Sequence, residues 1–420
     1  MILEIKLTNF FSIDKEITLD LRAGNINTHK TKELASNVTI WNQTKILKTV
    51  AIYGANASGK SNIIKAIRFA CELIIQSHLL NEDTIFNFKP FKFNKKEKQS
   101  TFFIRFVVEQ IEYEYSFSLT KEQIKKESLY FYPNGRRAKI FERNEDKGTA
   151  KKEKYSFTQV IKRPFEVARN TSNKTLFISR ASQMDRKIGK LLFNFFHKKF
   201  ILGYLTHDNK TIQTNLVSNK KFILNALQIA DSDIVDIQFE KEENTPDPDY
   251  NNFMVSGYEV RESRASYGYK LRLISYHKSA PNIPFDFQTE ESEGTKKLFY
   301  ILLNVLDVIQ NDKILLVDEL ETSLHTSIVE FVVDLFHGKG QSQLIYSTHN
   351  TNLLNLNKVR KDQIYFVNKN EKGASELYSL YDYKDFRENM DVEKGYLQGR
   401  FDAVPFIGDT ELILETLENG

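Results

Sequence analysis

The sequence predicts an α/β fold, a parallel sheet covered by helices on both faces. Three observations predict it. Val50-Ala51-Ile52-Tyr53 reads as a short buried strand that runs straight into Gly54-Ala55-Asn56-Ala57-Ser58-Gly59-Lys60-Ser61, and a helical stripe follows that loop. Ile314-Leu315-Leu316-Val317, apolar on both faces, ends in Asp318-Glu319. Such strands belong in the middle of a parallel sheet. Leu344-Ile345-Tyr346 is a further strand and leads into Ser347-Thr348-His349.

The remaining elements follow in order. Ile2 to Leu7 and Ile17 to Leu21 alternate like half-buried strands. After the glycine loop, Ile63, Ile64, Ile67, Ala70, Cys71, Ile74 and Ile75 recur at helical spacing. Cys71 falls on that apolar face and is expected in the core, not as a reactive thiol. Thr101 to Val108 and Ile111 to Leu119 read as a hairpin, and Asn134-Gly135 as a turn. Residues 144 to 155 are charged and expected to form a mobile loop. Ala181 to Phe200 reads as one helix and Phe222 to Ile229 as another, while Asn244 to Asn252 is polar and reads as a loop. Leu298, Leu302, Val305, Leu306 and Ile309 form one stripe behind Glu291-Ser292-Glu293-Gly294-Thr295. Leu324, Ile328, Phe331, Val332 and Leu335 form another, ended by Gly338 in a C-cap position. Ile364 to Val367 is another strand. The organisation expected is a discontinuous core, 1–85 with 285–420, and an inserted β-rich and helical region, 86–284.

Composition narrows the functional classes. The chain has 420 residues and a 41% hydrophobic share, which suits one large globular domain or two ordinary ones. No apolar run reaches the length of a membrane span, and the opening reads as a strand, not a signal peptide. One cysteine cannot make an internal disulfide or a multi-cysteine zinc site, so a reducing cytoplasm is the expected location. The net charge of +4, from 59 basic and 55 acidic residues, points only weakly to nucleic acid. The basic clusters at Lys95-Lys96-Glu97-Lys98 and Lys151-Lys152-Glu153-Lys154 read as solvated loop tips.

The motifs point to nucleoside-triphosphate chemistry. Gly54 and Gly59 let backbone wrap a phosphate without Cβ clashes. The loop N–H groups, with Asn56 and Ser58 among their residues, and the helix N-terminus supply positive potential. Lys60 should reach the β- and γ-phosphates, and Ser61 should ligate Mg²⁺. Asp318 is placed to hold the same ion. Glu319 points the other way, because strand side chains alternate, and can polarise an attacking water. His349 can hydrogen-bond the γ-phosphate or that water. Ser292 is a natural N-cap, and with the small Gly294 it makes a helix N-terminus suited to an anion.

These residues resemble the ATPase heads of the ABC superfamily, in the branch with SMC, RecF and the overcoming-lysogenization-defect proteins. Gly54 to Ser61 resembles their phosphate loop. Ser292-Glu293-Gly294-Thr295 resembles the signature motif, with Glu293 in place of its first glycine. Asp318-Glu319 matches Walker B and its glutamate, Ser323-Leu324-His325 lies where the D-loop belongs, and His349 matches the switch histidine. Gln183 is the candidate Q-loop glutamine, a role implying contact with Mg²⁺ and nucleotide. Asp-Glu-Leu-Glu-x-Ser-Leu-His from Asp318, and Gly399 to Pro405, look like the small bacterial AAA15-type ATPases, including the RloA and AbiL abortive-infection ATPases. The resemblance implies ATP and Mg²⁺, and a homodimer or higher homo-oligomer. Each ATP would lie between one P-loop and the partner's Ser292 and Gly294. It further implies antiphage defence with a separately encoded effector, such as a TOPRIM-type nuclease, and no membrane role. A DNA-repair or DNA-maintenance ATPase of the RecF or SMC kind stays open, as does DNA or a phage component as ligand. About seventy residues follow His349, short for an attached TOPRIM domain. The lack of heptads and of Cys-x-x-Cys disfavours a zinc-hook arm.

Overall fold

A six-stranded sheet runs through the chain in the order Phe200–Leu202, Ile314–Val317, Gln343–Ser347, Thr49–Gly54, Ile364–Lys369, Ser375–Ser379. The first five strands are parallel and the last pairs antiparallel. This is a computed structural model, and it describes residues 1–94, 98–202, 209–229, 232–242, 252–255, 258–261, 270–322, 324–383, 386 and 390–404. The strand pleat sorts the apolar residues between two cores. Val50, Ile52, Ile314 and Leu316 enter one cluster. Their neighbours Ala51, Tyr53, Leu315 and Val317 enter the other.

The first core lies under the helix Lys60–Gln76. Its Ile63, Ile64, Ile67, Ala70, Cys71 and Ile74 are buried, as the spacing predicts. Burial pushes the Cys71 thiol well above its ordinary pKa, so it is a packing residue. The other side of this core is a seven-stranded antiparallel sheet, ordered Tyr155–Phe157, Ala138–Asn144, Ile124–Phe131, Ile111–Leu119, Ser100–Val108, Ile2–Thr8, Ile17–Asp20. Phe10, Phe69, Phe88 and Phe102 pack ring against ring between sheet and helix, with centroids 5.2–5.7 Å apart. Because Ile2–Thr8 pairs with Ser100–Val108, this sheet takes strands from both sides of residue 85. The second core is closed by the helix Thr326–Phe336 through Val329, Val332, Val333 and Phe336.

A third core joins the helix Asn209–Ile229 to the three-stranded sheet of Ile234–Glu242, Lys270–His277 and Ala280–Asp286. The helix Glu293–Gln310 completes it with Leu298, Phe299, Leu302, Leu303 and Leu306. The same helix sends Ile301, Val305 and Val308 into the second core. The single stripe expected on it is therefore two buried faces. Among the described residues, no helix is long and apolar enough to cross a membrane.

In the middle of the chain the structure corrects two further expectations. Residues 181–200 form two helices, Phe177–Gln183 and Lys187–Lys199. Asp185 adopts left-handed backbone, φ 59°, with Asp185 N–H bonded to Ser182 O and Arg186 N–H to Ala181 O, which is a Schellman stop. The second helix then folds back so closely that a Cβ on Gly189 would lie 2.6 Å from the Ala181 carbonyl carbon. The charged segment 144–155 is also structured, with a helical turn at Lys151–Lys154 and a strand from Tyr155. The cause is Arg143, fully buried, which draws in Glu145 at 2.7 Å, and Glu145 in turn holds Lys154 at 2.8 Å. The loop expected from Asn244 to Asn252 lies outside the described residues except for Asn252, which begins the short strand Asn252–Val255.

Arg143 also faces Glu127, 3.6 Å away and equally buried. Burial raises the Glu127 pKa, against the pull of Arg143 and of the N–H groups of Phe177 and Ile178, which its carboxylate accepts at 2.7 and 3.1 Å. Tyr115 Oη donates to it as well. Glu127→Ala would strip the start of the helix Phe177–Gln183 of its acceptor and leave Arg143 short of a counter-charge. Loss of one partner of a buried pair costs about 3–5 kcal/mol. Denaturant unfolding should show a loss of that order, and a smaller one for Glu127→Gln, which keeps an accepting oxygen.

Candidate functional site

Parallel strands deliver their C-terminal ends to one edge. Thr49–Gly54 opens there into the glycine loop, Gln343–Ser347 into Thr348 and His349, and Ile314–Val317 into Asp318 and Glu319. The Gln343–Ser347 strand lies between the other two. At an inter-strand spacing of about 4.8 Å, loop and carboxylates leave the sheet roughly 10 Å apart with the histidine between them.

The loop is shaped by close approach. A Cβ on Gly54 would lie 2.4 Å from Val367 O. Gly59, at φ 115°, would place a Cβ 2.1 Å from Ser375 Oγ and 2.7 Å from Ser12 Oγ. Both positions therefore require glycine. Behind the loop, Ser375 Oγ donates to Ser58 O at 2.5 Å and pairs with Ser12 Oγ at 2.7 Å, and Asn62 Nδ2 donates to Ser12 Oγ. Asn56 is exposed on the loop. Ser58 Oγ is buried with no hydrogen-bond partner among the described residues. Lys60 is buried, its Nζ donating to Gly54 O at 2.7 Å and Ala55 O at 3.1 Å. Burial lowers its pKa, against the attraction of Asp318, Glu319 and Glu321. Ser61 follows in the first turn of the helix.

Ser347 organises the carboxylates. Its hydroxyl donates to Asp318 Oδ1 at 2.5 Å and accepts from Glu319 N–H at 2.8 Å. Its carbonyl accepts from Leu320 N–H. Between these bonds Glu319 is held in left-handed backbone, φ 52°, a conformation costing about 1–2 kcal/mol for a residue with a Cβ. Its exposed side chain accepts a bond from Thr322 Oγ1 at Oε2, 3.3 Å long. His349 is exposed. Desolvation and the Lys60 charge hold its pKa below the ordinary value, against Glu321, Glu319 and Asp318. Lysine, histidine and carboxylates thus share one electrostatic environment.

Ser292 caps the helix Glu293–Gln310 by accepting from Thr295 N–H at 3.1 Å, and it is exposed. Gly294 lies in the first turn. Just before them Glu291 accepts from His277 Nε2 at 2.8 Å, and His277 Nδ1 contacts Asp233 at 2.6 Å. Burial opposes the His277 charge, but the bonds to Asp233 and Glu291 prevail and hold its pKa above the usual value. Five residues past Ser292, Lys297 Nζ donates to Thr322 O in the turn after Glu319.

Gln183 is not brought to this edge. Its helix is bonded through Leu176, Ser179 and Arg180 to Ser77 and His78, at the far end of the helix that Lys60 begins. Lys60 and Ser77 are about 25 Å apart along that helix, and the seven residues ending at Gln183 span only ~10 Å. Ser323 lies outside the described residues. Asn62 and Ser375 carry no signal in the sequence, since a lone asparagine or serine has no spacing pattern.

Residues 50–355 match the family model described as AAA domain, putative AbiEii toxin, Type IV TA system. No curated protein matches the sequence. Among solved structures, the chain is similar to an SMC head bound to the C-winged helix domain of ScpA, at 16% identity, covering 90% of this chain and 97% of that one, with a TM-score of 0.40. It is also similar to the SMC head domain from Thermotoga maritima, at 12% identity, covering 90% and 98%, with a TM-score of 0.37.

Ser347→Ala removes the hydroxyl that serves both Asp318 and Glu319. With two bonds to a charged and a strained group at stake, a loss of about 2 kcal/mol is expected. It should show as slower triphosphate turnover in steady-state assays, with nucleotide affinity reduced less than rate.

Proposed function

The chain belongs to the AAA_21 family of AAA domains, and on that footing we propose that it is an ATP-hydrolysing switch. The observation that carries this reading is the shared sheet edge, where Lys60, His349, Asp318 and Glu319 feel one another's charge. Lys60 takes the β- and γ-phosphates while the loop N–H groups and helix N-terminus face the rest of the chain of phosphates. The residues also fit a magnesium ion. The glycines let the loop close against Val367, Ser375 and Ser12 behind it, and Ser61 and the exposed Asp318 offer the hard oxygen ligands that Mg²⁺ prefers. Bound there, Mg²⁺ offsets the charge on the β- and γ-phosphates. Glu319 orients or deprotonates the attacking water, and His349 donates to the γ-phosphate or the same water.

In this reading two copies pair head to tail, each ATP resting on one P-loop and on the partner's Ser292 and Gly294. The exposed, capped N-terminus of Glu293–Gln310 supports it, since such an end favours anions. Hydrolysis loosens or rearranges the dimer and so changes its grip on a separately encoded effector, with a TOPRIM-type nuclease the expected class. The setting is antiphage defence of the abortive-infection kind, in the AAA15 branch with RloA and AbiL. The family's description, which includes a putative AbiEii toxin, supports a defence setting. The rival, direct DNA binding, is less favoured on the antiparallel sheet, where Arg105 pairs with Glu112, Arg137 with Glu114 and Lys139 with Glu142.

Lys60→Ala should abolish ATP binding or turnover, and normal turnover by folded protein would sink the phosphate-loop assignment. Glu319→Gln should bind ATP yet hydrolyse it at least about a hundredfold more slowly, and gel filtration with ATP should then trap the dimer.

Gly294→Asp should leave each copy's own P-loop intact but block closure. Mixing Lys60→Ala with Gly294→Asp proteins gives dimers in which one shared site has both defects and the other neither. Activity should partly return. No recovery, with subunit exchange demonstrated, would rule out the shared site.

A further inference from the structure

Glu321 stands two residues beyond Glu319, in the turn that follows the Ile314–Val317 strand. Its Oε1 accepts from the backbone N–H of His349 at 2.5 Å. Its Oε2 is buried with no hydrogen-bond partner among the described residues. An unpartnered buried carboxylate oxygen is expensive and calls for an explanation. The carboxylate is near enough to raise the proton affinity of Lys60, of His349 and of Lys297, and of the buried phenols of Tyr53 and Tyr346. It therefore sits where the phosphate loop, the histidine and the Ser292-capped helix converge.

The backbone around His349 is held from two sides. Thr348 N–H donates to Ile52 O on the phosphate-loop strand at 3.1 Å. His349 N–H donates to Glu321. One residue on, Asn350 N–H turns back to Thr348 Oγ1 at 3.0 Å. The exposed ring of His349 thus takes its aim from a peptide unit stretched between loop strand and carboxylate turn. The geometry points to Glu321 as the positioning residue that fixes His349 for hydrolysis, acting through the oxygen that accepts the His349 N–H. This rests on the reading of His349 as a contact to the γ-phosphate or its attacking water.

Two conservative variants separate geometry from charge. Glu321→Gln keeps an accepting oxygen at the same reach and loses the charge. Glu321→Asp keeps the charge but is one methylene too short. Steady-state kcat and KM for ATP would be measured for both, for Glu321→Ala, for His349→Ala and for the Glu321→Ala/His349→Ala double variant, with thermal melting to establish folding. Misplacing a reacting group by an ångström costs about a hundredfold, so kcat of the Ala and Asp variants should fall by ten- to a hundredfold. KM should stay within about threefold, and Gln should recover most of the rate. Adding Glu321→Ala to His349→Ala should cost nothing further, because the two act as one unit. Rescue by Asp and not by Gln, additive losses, or wild-type kcat in Glu321→Ala would each overturn the assignment. If Glu321→Ala does not fold, the Gln and Asp variants still decide it. If His349→Ala is fully active, the histidine reading falls and this one with it. If His349→Ala is inactive while Glu321→Ala is not, only the role of Glu321 falls.

Discussion

The hydroxyl of Ser347 is the interaction on which the candidate site depends. It is fully buried at the end of its strand, and it bonds both the Asp318 carboxylate and the Glu319 N–H. A strand that carried only apolar residues to this point would leave two consecutive acids free to splay into solvent. With the serine in place, one acid is pinned against the sheet and the other is turned outward through a left-handed residue. The parallel register does the rest, since it sets loop, histidine and acids along one edge of the sheet.

That edge was largely legible in the sequence because each piece is local. A glycine loop between strand and helix, an apolar strand ending in Asp318-Glu319, and a histidine after the next strand all announce themselves within a few residues. The structure sets them together at the ends of adjacent strands. Residues that act across the fold were invisible. Ser12 and Ser375 stand 363 positions apart, yet they share a hydrogen bond behind the phosphate loop. Gln183 shows the converse failure. Several antiparallel strands separate it from Lys60 in sequence, so spacing could not place it, and its helix docks at the wrong end.

The middle of the chain misled for electrostatic reasons. Residues 144–155 look like a solvated loop because they are charged. The buried Arg143 recruits those charges inward, and composition cannot reveal which lysine or glutamate answers a buried guanidinium. Glu127 is likewise a carboxylate in the core, where it closes the start of one helix and faces Arg143. Reading polar residues as surface residues fails wherever an ion pair is sealed by aromatic neighbours such as Tyr115 and Tyr155.

The helix Glu293–Gln310 belongs to two cores at once. Leu298, Leu302 and Leu306 are packed with the three-stranded unit, and Ile301, Val305 and Val308 with the six-stranded sheet. Neither unit can shed this helix without opening its own interior. The two should therefore melt as one cooperative block, with amide protons on that helix among the slowest in the molecule to exchange with solvent. The protein is in this sense thermodynamically undivided at a place where its strand topology is divided.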